Sequence, residues 1–189
     1  MQSIMQKEIE KSLEVLKSGG ILLYPTDTIW GLGCDATNPE AVEKIIQIKK
    51  REGKSFIVLL ENLNDLFRYV KEVPDVAYEL IELSEKPLTV VFDGGKGLAP
   101  NVLNADGSVG IRVVKHPFCE QLIRKFRKPI VSTSANISGN PSAMSFDEIS
   151  EEIKQGVDYV VDFERSKKSA APSSIIKLGN GGLIKILRK

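Results

Sequence analysis

The sequence predicts an α/β protein, because short apolar runs alternate along the chain with segments of helical period. The runs Ile21–Tyr24 and Phe56–Leu60 are bounded by glycine, proline or charged residues, which is typical of buried strands. Residues 6–18 place apolar side chains on one face of a helix, and Gly19-Gly20 ends that helix. These observations favour a sheet flanked by helices.

Length, charge and cysteine content narrow the class of protein. The 189 residues suffice for a core of their own, and we expect a single domain over residues 1–189. The 26 basic and 25 acidic side chains nearly cancel, which argues against a broad nucleic-acid or membrane surface. Two distant cysteines and one histidine make no recognisable zinc site. Without a signal-peptide core or a transmembrane run, we expect a cytoplasmic protein.

The second helix has the clearest start signal in the chain. Asn38-Pro39-Glu40 supplies a cap residue, a proline at the first helical position and an acid near the positive end of the helix dipole. The helix is expected to end in Lys49–Gly53, where cations are favourable whatever their function. Periodicity alone therefore assigns no special role to Lys49 or Arg51.

The middle of the chain is expected to contain two helices, two strands and a loop. In order, these are helices at residues 63–70 and 75–84, the strand Leu88–Phe92, an exposed loop at Asp93–Gly107, and the strand Ser108–Val114. Alternation in the last strand turns Val109, Ile111 and Val113 one way and Arg112 the other. A buried arginine needs an anionic partner, and an internal ion pair and a bound ligand are equally good explanations.

The last third continues the α/β pattern. The predicted elements are a helix from Pro117, the strand Pro129–Val131, a helix from the capping-box spacing Ser145–Glu148 to about Gln155, strands at residues 157–163, 174–178 and 183–187, and a hairpin turn at Gly179–Gly182.

Two strand ends carry similar sets of polar side chains. Thr26, Asp27 and Thr28 follow the first strand, and Trp30 lies between them and two glycines. The stretch Ser132–Gly139 follows another strand with four hydroxyls and an amide. Open α/β sheets place ligand-contacting groups at strand ends. We therefore expect these segments to form two walls of one pocket.

Several familiar catalytic patterns are absent. Gly31–Ala36 fits the dinucleotide pattern G-x-G-x-x-A, but six residues separate it from its strand and no helix follows at once, so we reject a Rossmann site. There is no P-loop, and His116 before Pro117 is more typical of a helix start than of a catalytic base. Cationic and hydroxyl side chains remain, and they suit a phosphate-bearing ligand with a small polar molecule.

The motifs in this order resemble those of the YrdC-like threonylcarbamoyl-AMP synthases, in their short form. They span about residues 20–188 and comprise Tyr24-Pro25-Thr26-Asp27-Thr28 with Gly31-Leu32-Gly33, Lys49-x-Arg51, Pro87-Leu88-Thr89, Gly110-Ile111-Arg112, Ser132–Gly139 with its Ser134-x-Asn136, and Pro172-Ser173-Ser174. Each motif is weak alone, and the set is specific.

The resemblance implies a fold and a reaction. The fold is a YrdC-like twisted mixed sheet with flanking helices around a basic concave cavity. The reaction is that of a nucleotidyltransferase, in which L-threonine, bicarbonate (or CO2) and ATP give threonylcarbamoyl-AMP and pyrophosphate. A partner transferase then modifies tRNA, and weak tRNA contact by the synthase itself is possible in such a family. Mg2+ is expected to be held mainly by the phosphates, with no protein metal ligand assigned.

The resemblance also implies roles for individual residues. Lys49 and Arg51 are expected to be catalytic, because they hold the triphosphate and offset its charge. Arg112 is expected to pair with the threonine carboxylate. The further contacts expected with ATP are Ser55, Ser108, Ser134, Asn136, Ser142 and Arg188, and those expected with threonine are Thr28, Ser132 and Ser174.

Three positions depart from the family pattern. Ser55-Phe56 replaces Pro-Leu, Glu85-Lys86 replaces Gly-Pro before Pro87, and Val113-Val114 replaces an x-Pro pair. All three change residues that shape the backbone and leave the expected contact residues in place.

Two other functions compete with the synthase. A YrdC-like paralogue could be an RNA-binding module without adenylate synthesis, but the intact Lys49-x-Arg51 and Ser134-x-Asn136 motifs and the low net charge argue against it. A carbamoyl-adenylate former, as in hydrogenase-maturation proteins, normally belongs to a larger chain with zinc-finger and acylphosphatase parts, which are not found in this sequence.

Overall fold

The computed structural model describes residues 2–50, 56–179 and 182–189. Within these ranges nine strands form one twisted mixed sheet in the order β7-β1-β2-β6-β3-β5-β4-β8-β9. The strands are β1 Leu22–Tyr24, β2 Gly31–Gly33, β3 Ile57–Leu60, β4 Leu88–Phe92, β5 Val109–Val113, β6 Ile130–Ser134, β7 Tyr159–Val160, β8 Ser174–Leu178 and β9 Ile184–Arg188. The expected α/β class is confirmed.

Helices flank the sheet. They are α1 Gln2–Lys17, α2 Pro39–Lys49, α3 Leu66–Tyr69, α4 Asp75–Glu82, α5 Pro117–Phe126 and α6 Glu151–Gly156, and short 3-10 turns occupy Leu63–Asp65 and Pro100–Val102. The predicted start of α2 is confirmed, because Asn38 Oδ1 accepts hydrogen bonds from the backbone N–H groups of Glu40 and Ala41.

Apolar side chains pack on both faces of the sheet. On one face, α1 and α5 bury residues such as Ile9 and Phe118 against Leu59 of β3. On the other face, Ala41 and Ile45 of α2 pack into the larger core cluster. The predicted alternation in β5 is confirmed, because Val109, Ile111 and Val113 belong to this second cluster whereas Arg112 does not.

Strand β2 was not predicted, because glycine is depleted in strands. Gly33 lies directly over Tyr24, and a Cβ atom at this position would come within 2.5 Å of the Tyr24 ring and 2.7 Å of the Val131 carbonyl oxygen. The two glycines of β2 therefore allow β1, β2 and β6 to pack closely.

The predicted helix from Ser145 to about Gln155 is wrong at its start. Ser150 caps the helix instead, and α6 begins at Glu151. The Glu148 carboxylate instead accepts hydrogen bonds from the Met144 N–H (2.8 Å) and the Ser145 hydroxyl (3.2 Å). These contacts stabilise a turn, because side-chain-to-backbone bonds stabilise turns as well as helix starts.

Three other predicted elements differ in extent. The strand expected at residues 157–163 is reduced to Tyr159–Val160, which pairs in parallel with β1. The helix expected at residues 63–70 begins as a 3-10 turn. The segment Asp93–Gly107 is not an exposed loop throughout, since Ala99 and Val102 are buried and the Ala99 N–H donates to the Ala36 carbonyl.

Strand β9 forms one edge of the sheet and pairs only with β8 among the described strands. Its apolar side chains remain in contact with solvent, with Ile186 58% and Leu187 50% exposed. The hairpin between β8 and β9 is confirmed by the Gly179 N–H bond to Leu183, although residues 180–181 lie outside the described ranges. The strand is therefore held to the protein mainly by backbone pairing.

Candidate active site

A cavity of about 220 Å³ opens at the ends of β1, β2 and β6. The two polar strand ends do form walls of one pocket, as predicted. Six of the residues assigned to the site line this cavity: Thr28, Arg112, Ser132, Ser134, Ser142 and Arg188. No Asp or Glu occurs among its described lining residues, and two arginines do, so the cavity is basic.

Register in the sheet brings the cavity residues together. Ser132 of β6 lies opposite Ile57 of β3, and Ile57 lies opposite Gly110 of β5. Directly paired residues share a face of the sheet, and so do residues two apart along a strand. Arg112 and Ser134 consequently project from the same face as Ser132, toward the cavity.

The turn after β1 is fixed by its own hydroxyl groups. Thr26 Oγ1 donates to the Ile29 carbonyl (2.8 Å) and accepts from the Thr28 N–H (3.1 Å). The Thr26 and Thr28 hydroxyls lie 3.0 Å apart. These contacts place the buried Thr28 side chain in the cavity wall, next to Trp30. Trp30 packs against Phe146 with ring centroids 4.8 Å apart, so it serves both the core and the cavity.

Arg112 is 4% exposed and is paired with Asp27, whose Oδ1 lies 3.2 Å from Arg112 Nη2. The internal ion pair offered as one explanation for this arginine is therefore present, and Arg112 also lines the cavity, where a ligand could meet it. Asp27 was not predicted as its partner. The position of Asp27 in a polar strand end was the available signal, and the pairing itself depends on the fold.

Arg188 reaches the cavity from β9. Its Nε donates to the Ser173 carbonyl (2.9 Å) and its Nη2 to the Ser173 hydroxyl (3.3 Å). Ser173 is buried and exchanges a 2.8 Å hydrogen bond with the Thr89 hydroxyl. Burial, and to a smaller extent the charge of Arg112, lowers the pKa of Arg188. The guanidinium stays protonated at neutral pH, and the two arginines share one site.

Lys49 and Asn136 do not line the cavity but hold the loop behind it. Lys49 is buried, and its ammonium group donates to the carbonyl oxygens of Ser134 and Asn136, each at 2.5 Å. The Ser138 N–H returns a bond to the Lys49 carbonyl (2.9 Å). The Asn136 amide donates to Asn140 (2.7 Å), whereas its Oδ1 is buried without a hydrogen-bond partner. The end of α2 thus fixes the segment that carries Ser134.

Ser108 lines a second cavity of about 540 Å³, which shares Ile57 and Ile175 with the first. Its walls are mostly apolar. The Ser108 hydroxyl donates to Asp106 Oδ1 (2.6 Å) and accepts from the Asn104 amide (2.8 Å). Hydrogen bonds from the Ser108 hydroxyl and backbone N–H, helped by Lys177, lower the pKa of Asp106 to about 2. The polar side chains of Asn104, Asp106 and Ser108 therefore lie at the edge of a mostly apolar cavity wall.

Besides Lys49 and Asn136, three further predicted residues are not placed in either cavity. Arg51 and Ser55 lie outside the described residues. Ser174 opens β8 opposite Leu88, and the neighbouring Ser173 lines the cavity instead. The motif Pro172-Ser173-Ser174 identified this segment, but which serine faces the ligand depends on strand orientation, which the sequence does not reveal.

The described side chains include no group of three or more His, Cys, Asp or Glu residues that could hold a metal ion. Cys34 and Cys119 are buried free thiols. None of the described helices has the length and apolar character needed to cross a lipid bilayer.

Comparison with known proteins identifies the family. The Sua5/YciO/YrdC family model, described as telomere recombination, matches residues 14–189. The threonylcarbamoyl-AMP synthase of Pseudoalteromonas translucida is 32% identical over 180 residues, covering 93% of this chain and 96% of the relative. A putative threonylcarbamoyl-AMP synthase of Methanocaldococcus jannaschii is 35% identical over 187 residues, covering 96% and 87%.

A solved structure agrees with these sequence matches. The crystal structure of P. abyssi Sua5 complexed with L-threonine superposes with a TM-score of 0.82 at 27% identity, covering 95% of this chain. The chain spans 53% of the Sua5 chain, so the two share one part of a longer protein. Together with the motifs and the cavity they surround, these matches show that the chain belongs to the Sua5/YciO/YrdC family.

Proposed function

We propose that this chain is an L-threonylcarbamoyladenylate synthase, a nucleotidyltransferase that uses L-threonine, bicarbonate (or CO2) and ATP. The observation that carries the proposal is the basic cavity in which Thr28, Arg112, Ser132 and Arg188 meet. The names of the relatives and the threonine complex of Sua5 support the same substrates.

Threonine would bind at the wall formed by β5 and β6. The Arg112 guanidinium is buried and suits a carboxylate, with which it can form charge-assisted hydrogen bonds. The Ser132 hydroxyl lies in the same wall, and the Thr28 hydroxyl lines the cavity from the turn between β1 and β2; both can contact the polar groups of the amino acid. Ser174 remains assigned to this subsite, next to Ser173 in the lining.

ATP would occupy the rest of the cavity. Ser134, Ser142 and Arg188 are available to the phosphates. Asn136 remains in the proposed ATP set, and its unpartnered buried Oδ1 is an acceptor that suits a donor group of the nucleotide rather than a phosphate oxygen. Ser108 lines the adjoining apolar cavity, which suits the adenosine end of the nucleotide. Lys49 adds a buried positive charge behind the Ser134 loop. Arg51 and Ser55 complete the proposed ATP set.

The proposed reaction needs positioning and charge neutralisation more than a covalent nucleophile. The threonine amine adds CO2 to form a carbamate. A carbamate oxygen then forms a bond to the α-phosphorus as the bond to the leaving pyrophosphate breaks. Arg188, Lys49 and Arg51 would offset the charge on the phosphates. The ATP phosphates would carry Mg2+, which would supply further charge neutralisation, since the described cavity lining contains no carboxylate cluster that would hold it.

The product would pass to a transferase that modifies tRNA. The near balance of acidic and basic residues supports at most weak contact between this protein and tRNA itself.

Mass spectrometry tests the proposed function. The protein is incubated with ATP, Mg2+, bicarbonate and L-threonine, with a parallel reaction that lacks threonine. We expect a threonine-dependent threonylcarbamoyl-AMP ion with matching pyrophosphate. The matched control is Arg124→Ala, which removes an exposed arginine on α5 and should leave product formation unchanged. Absence of the product from folded wild-type protein would refute the synthase, and filter binding with tRNA would then test the RNA-binding paralogue.

A further inference from the structure

Asp27 and Arg112 form an ion pair behind the cavity wall. Both side chains are less than a tenth exposed, and the contact joins Arg112 Nη2 to Asp27 Oδ1 at 3.2 Å. Arg112 has no second ion-pair partner among the described residues. Asp27 lies in the turn between β1 and β2, and Arg112 lies on β5. The pair therefore links the wall that carries Thr28 to the wall that carries Arg112.

The pair is incomplete as a hydrogen-bonded contact. Asp27 Oδ1 makes no hydrogen bond despite the 3.2 Å separation, and Arg112 Nε is buried with no hydrogen-bond partner. A guanidinium recognises carboxylates best through two parallel N–H bonds. Arg112 is thus attracted to Asp27 by charge, while the Nε donor of its fork has no hydrogen-bond partner. Because Arg112 lines the cavity, a ligand carboxylate there is the chemistry that would complete the pairing of its guanidinium.

Asp27 is itself held in place from two sides. Its Oδ2 accepts from the Lys115 N–H at 3.3 Å, just beyond the end of β5. Its neighbours Thr26 and Thr28 fix the turn through their hydroxyl contacts. The position of the Asp27 carboxylate therefore depends on backbone and turn geometry rather than on Arg112. A fixed carboxylate can direct a long arginine side chain.

Charge balance gives Asp27 a second effect. Arg112 and Arg188 line the same cavity, and none of its described lining residues is acidic. Asp27 lies behind Arg112 and offsets one of these two positive charges. Without it, the two guanidinium groups would repel each other uncompensated. Arg112 would then lose its contact with Asp27 and, with it, the charge attraction that favours its present orientation.

We infer that Asp27 is a positioning residue, which orients Arg112 so that its guanidinium meets the carboxylate of the amino-acid substrate. This inference rests on the proposed function. The evidence for it is the buried pair, the unpartnered Nε and the independent anchoring of Asp27. Asp27 acts through Arg112 and does not touch the reacting atoms.

Steady-state kinetics of Asp27→Asn test the inference. Loss of an orienting charge–charge contact should raise KM for L-threonine by about 10- to 100-fold. We expect kcat and KM for ATP to stay within about threefold, because distant and independent sites couple weakly. A purely structural defect would instead lower the active fraction and kcat. The matched control is Asp35→Asn. It removes a second buried carboxylate, which is paired with Lys128 and lies away from the cavity.

A double-mutant cycle separates positioning from an independent effect. In an Arg112→Ala background, Asp27→Asn should change threonine affinity by less than about twofold, because its target side chain is gone. Threonine affinity is measured by calorimetric titration, which does not depend on turnover. An equal loss in both backgrounds would overturn the inference, as would tighter threonine binding by Asp27→Asn, since that would mean Asp27 only neutralises charge.

A second variant tests the inference if Asp27→Asn fails to fold. Asp27→Glu keeps the charge and displaces it by one methylene group, and we expect it to fold and to raise KM for threonine less than Asp27→Asn does. Unchanged threonine KM in every folded Asp27 variant, with active wild-type protein, overturns the inference alone. Wild-type protein that makes no threonylcarbamoyl-AMP refutes the proposed function instead, and threonine titration of wild type and variant still reports on the pair.

Discussion

Asp27 and Asp35 are both buried aspartates paired with a cation, yet they are satisfied to different degrees. Asp35 Oδ1 accepts from the Thr37 N–H (2.8 Å) and hydroxyl (2.6 Å), and its Oδ2 accepts from Lys128 (2.7 Å). Asp27 Oδ1 lies 3.2 Å from Arg112 and makes no hydrogen bond. Buried polar groups are normally satisfied, and exceptions occur at functional sites. The complete pair, Asp35 with Lys128, stabilises the connection between β2 and α2. The incomplete pair, Asp27 with Arg112, lies at the cavity.

The largest expected effect comes from removing the cation of the incomplete pair. Arg112→Ala should abolish threonine-dependent turnover, lowering kcat/KM for threonine by at least about 100-fold, because a buried charge-assisted contact with substrate is lost. ATP affinity should stay within about threefold of wild type. Kinetics with each substrate varied in turn, and a direct ATP titration, measure the two effects. Unchanged apparent threonine affinity would remove Arg112 from its proposed role.

The complete pair should show the opposite pattern, a loss of stability without a loss of specific activity. Asp35→Ala leaves the Thr37 groups and Lys128 without their acceptor, and should lower the free energy of unfolding by about 2–4 kcal/mol. Urea denaturation followed by circular dichroism measures the change. Activity per folded molecule should match wild type. A selective rise in threonine KM would show that the two aspartates are not functionally distinct.

Glu8 is a third buried carboxylate, and its contribution to stability depends on pH. Burial disfavours the ionised carboxylate, but hydrogen bonds from Tyr159 and the Asp162 N–H, with Lys11 nearby, outweigh burial and lower the pKa of Glu8. A lowered folded-state pKa means that ionised Glu8 stabilises the fold above the unfolded value of about 4.3. That contribution is lost as the pH falls through the lowered folded value.

The corresponding variant is Glu8→Gln. We expect it to be less stable than wild type by about 1–2 kcal/mol at pH 7, with a difference that shrinks as the pH is lowered below 4.3. Thermal unfolding of both proteins across this pH range provides the measurement. A difference that stays constant would mean that packing, rather than charge, makes Glu8 important.

The smallest effect is expected at the exposed ion pair of Arg124 and Glu61. Its geometry is good, with Arg124 Nε and Nη2 at 2.9 and 2.6 Å from Glu61 Oε1. The Arg124 side chain is 63% exposed, however, and solvent weakens such pairs. Arg124→Ala should lower the free energy of unfolding, measured with denaturant, only slightly. A larger loss of stability would show that burial does not explain why the Asp35–Lys128 pair stabilises the fold more than the Arg124–Glu61 pair.

Local signals predicted most of the fold correctly, and the errors have local causes. The Asn38 cap and the alternation in β5 were correctly predicted because a few neighbouring residues determine them. Strand β2 was missed because its glycines are selected by close packing against other strands, which no local signal records. The Glu148 contacts were interpreted as a helix start because turns and helix caps use the same bonds.

The candidate site was predicted as a set of residues rather than as a geometry. The motif resemblance supplied Thr28, Arg112 and Ser132, and the cavity contains them. It could not supply Asp27 as the partner of Arg112, because that contact arises only when the β1–β2 turn is placed beside β5. Nor could it show that Ser173, rather than Ser174, lines the described cavity, because this depends on which way the chain turns its side chains at the start of β8.

The edge position of β9 links the site to local opening of the fold. Arg188 belongs to a strand that pairs only with β8 among those described and exposes its apolar side chains. Sub-global opening of such a strand takes far less free energy than global unfolding, and each opening would withdraw Arg188 from the cavity. The observed affinity for a ligand held by Arg188 is then the intrinsic affinity multiplied by the fraction of molecules with β9 docked. By reciprocity, a bound ligand should slow amide hydrogen exchange along β9.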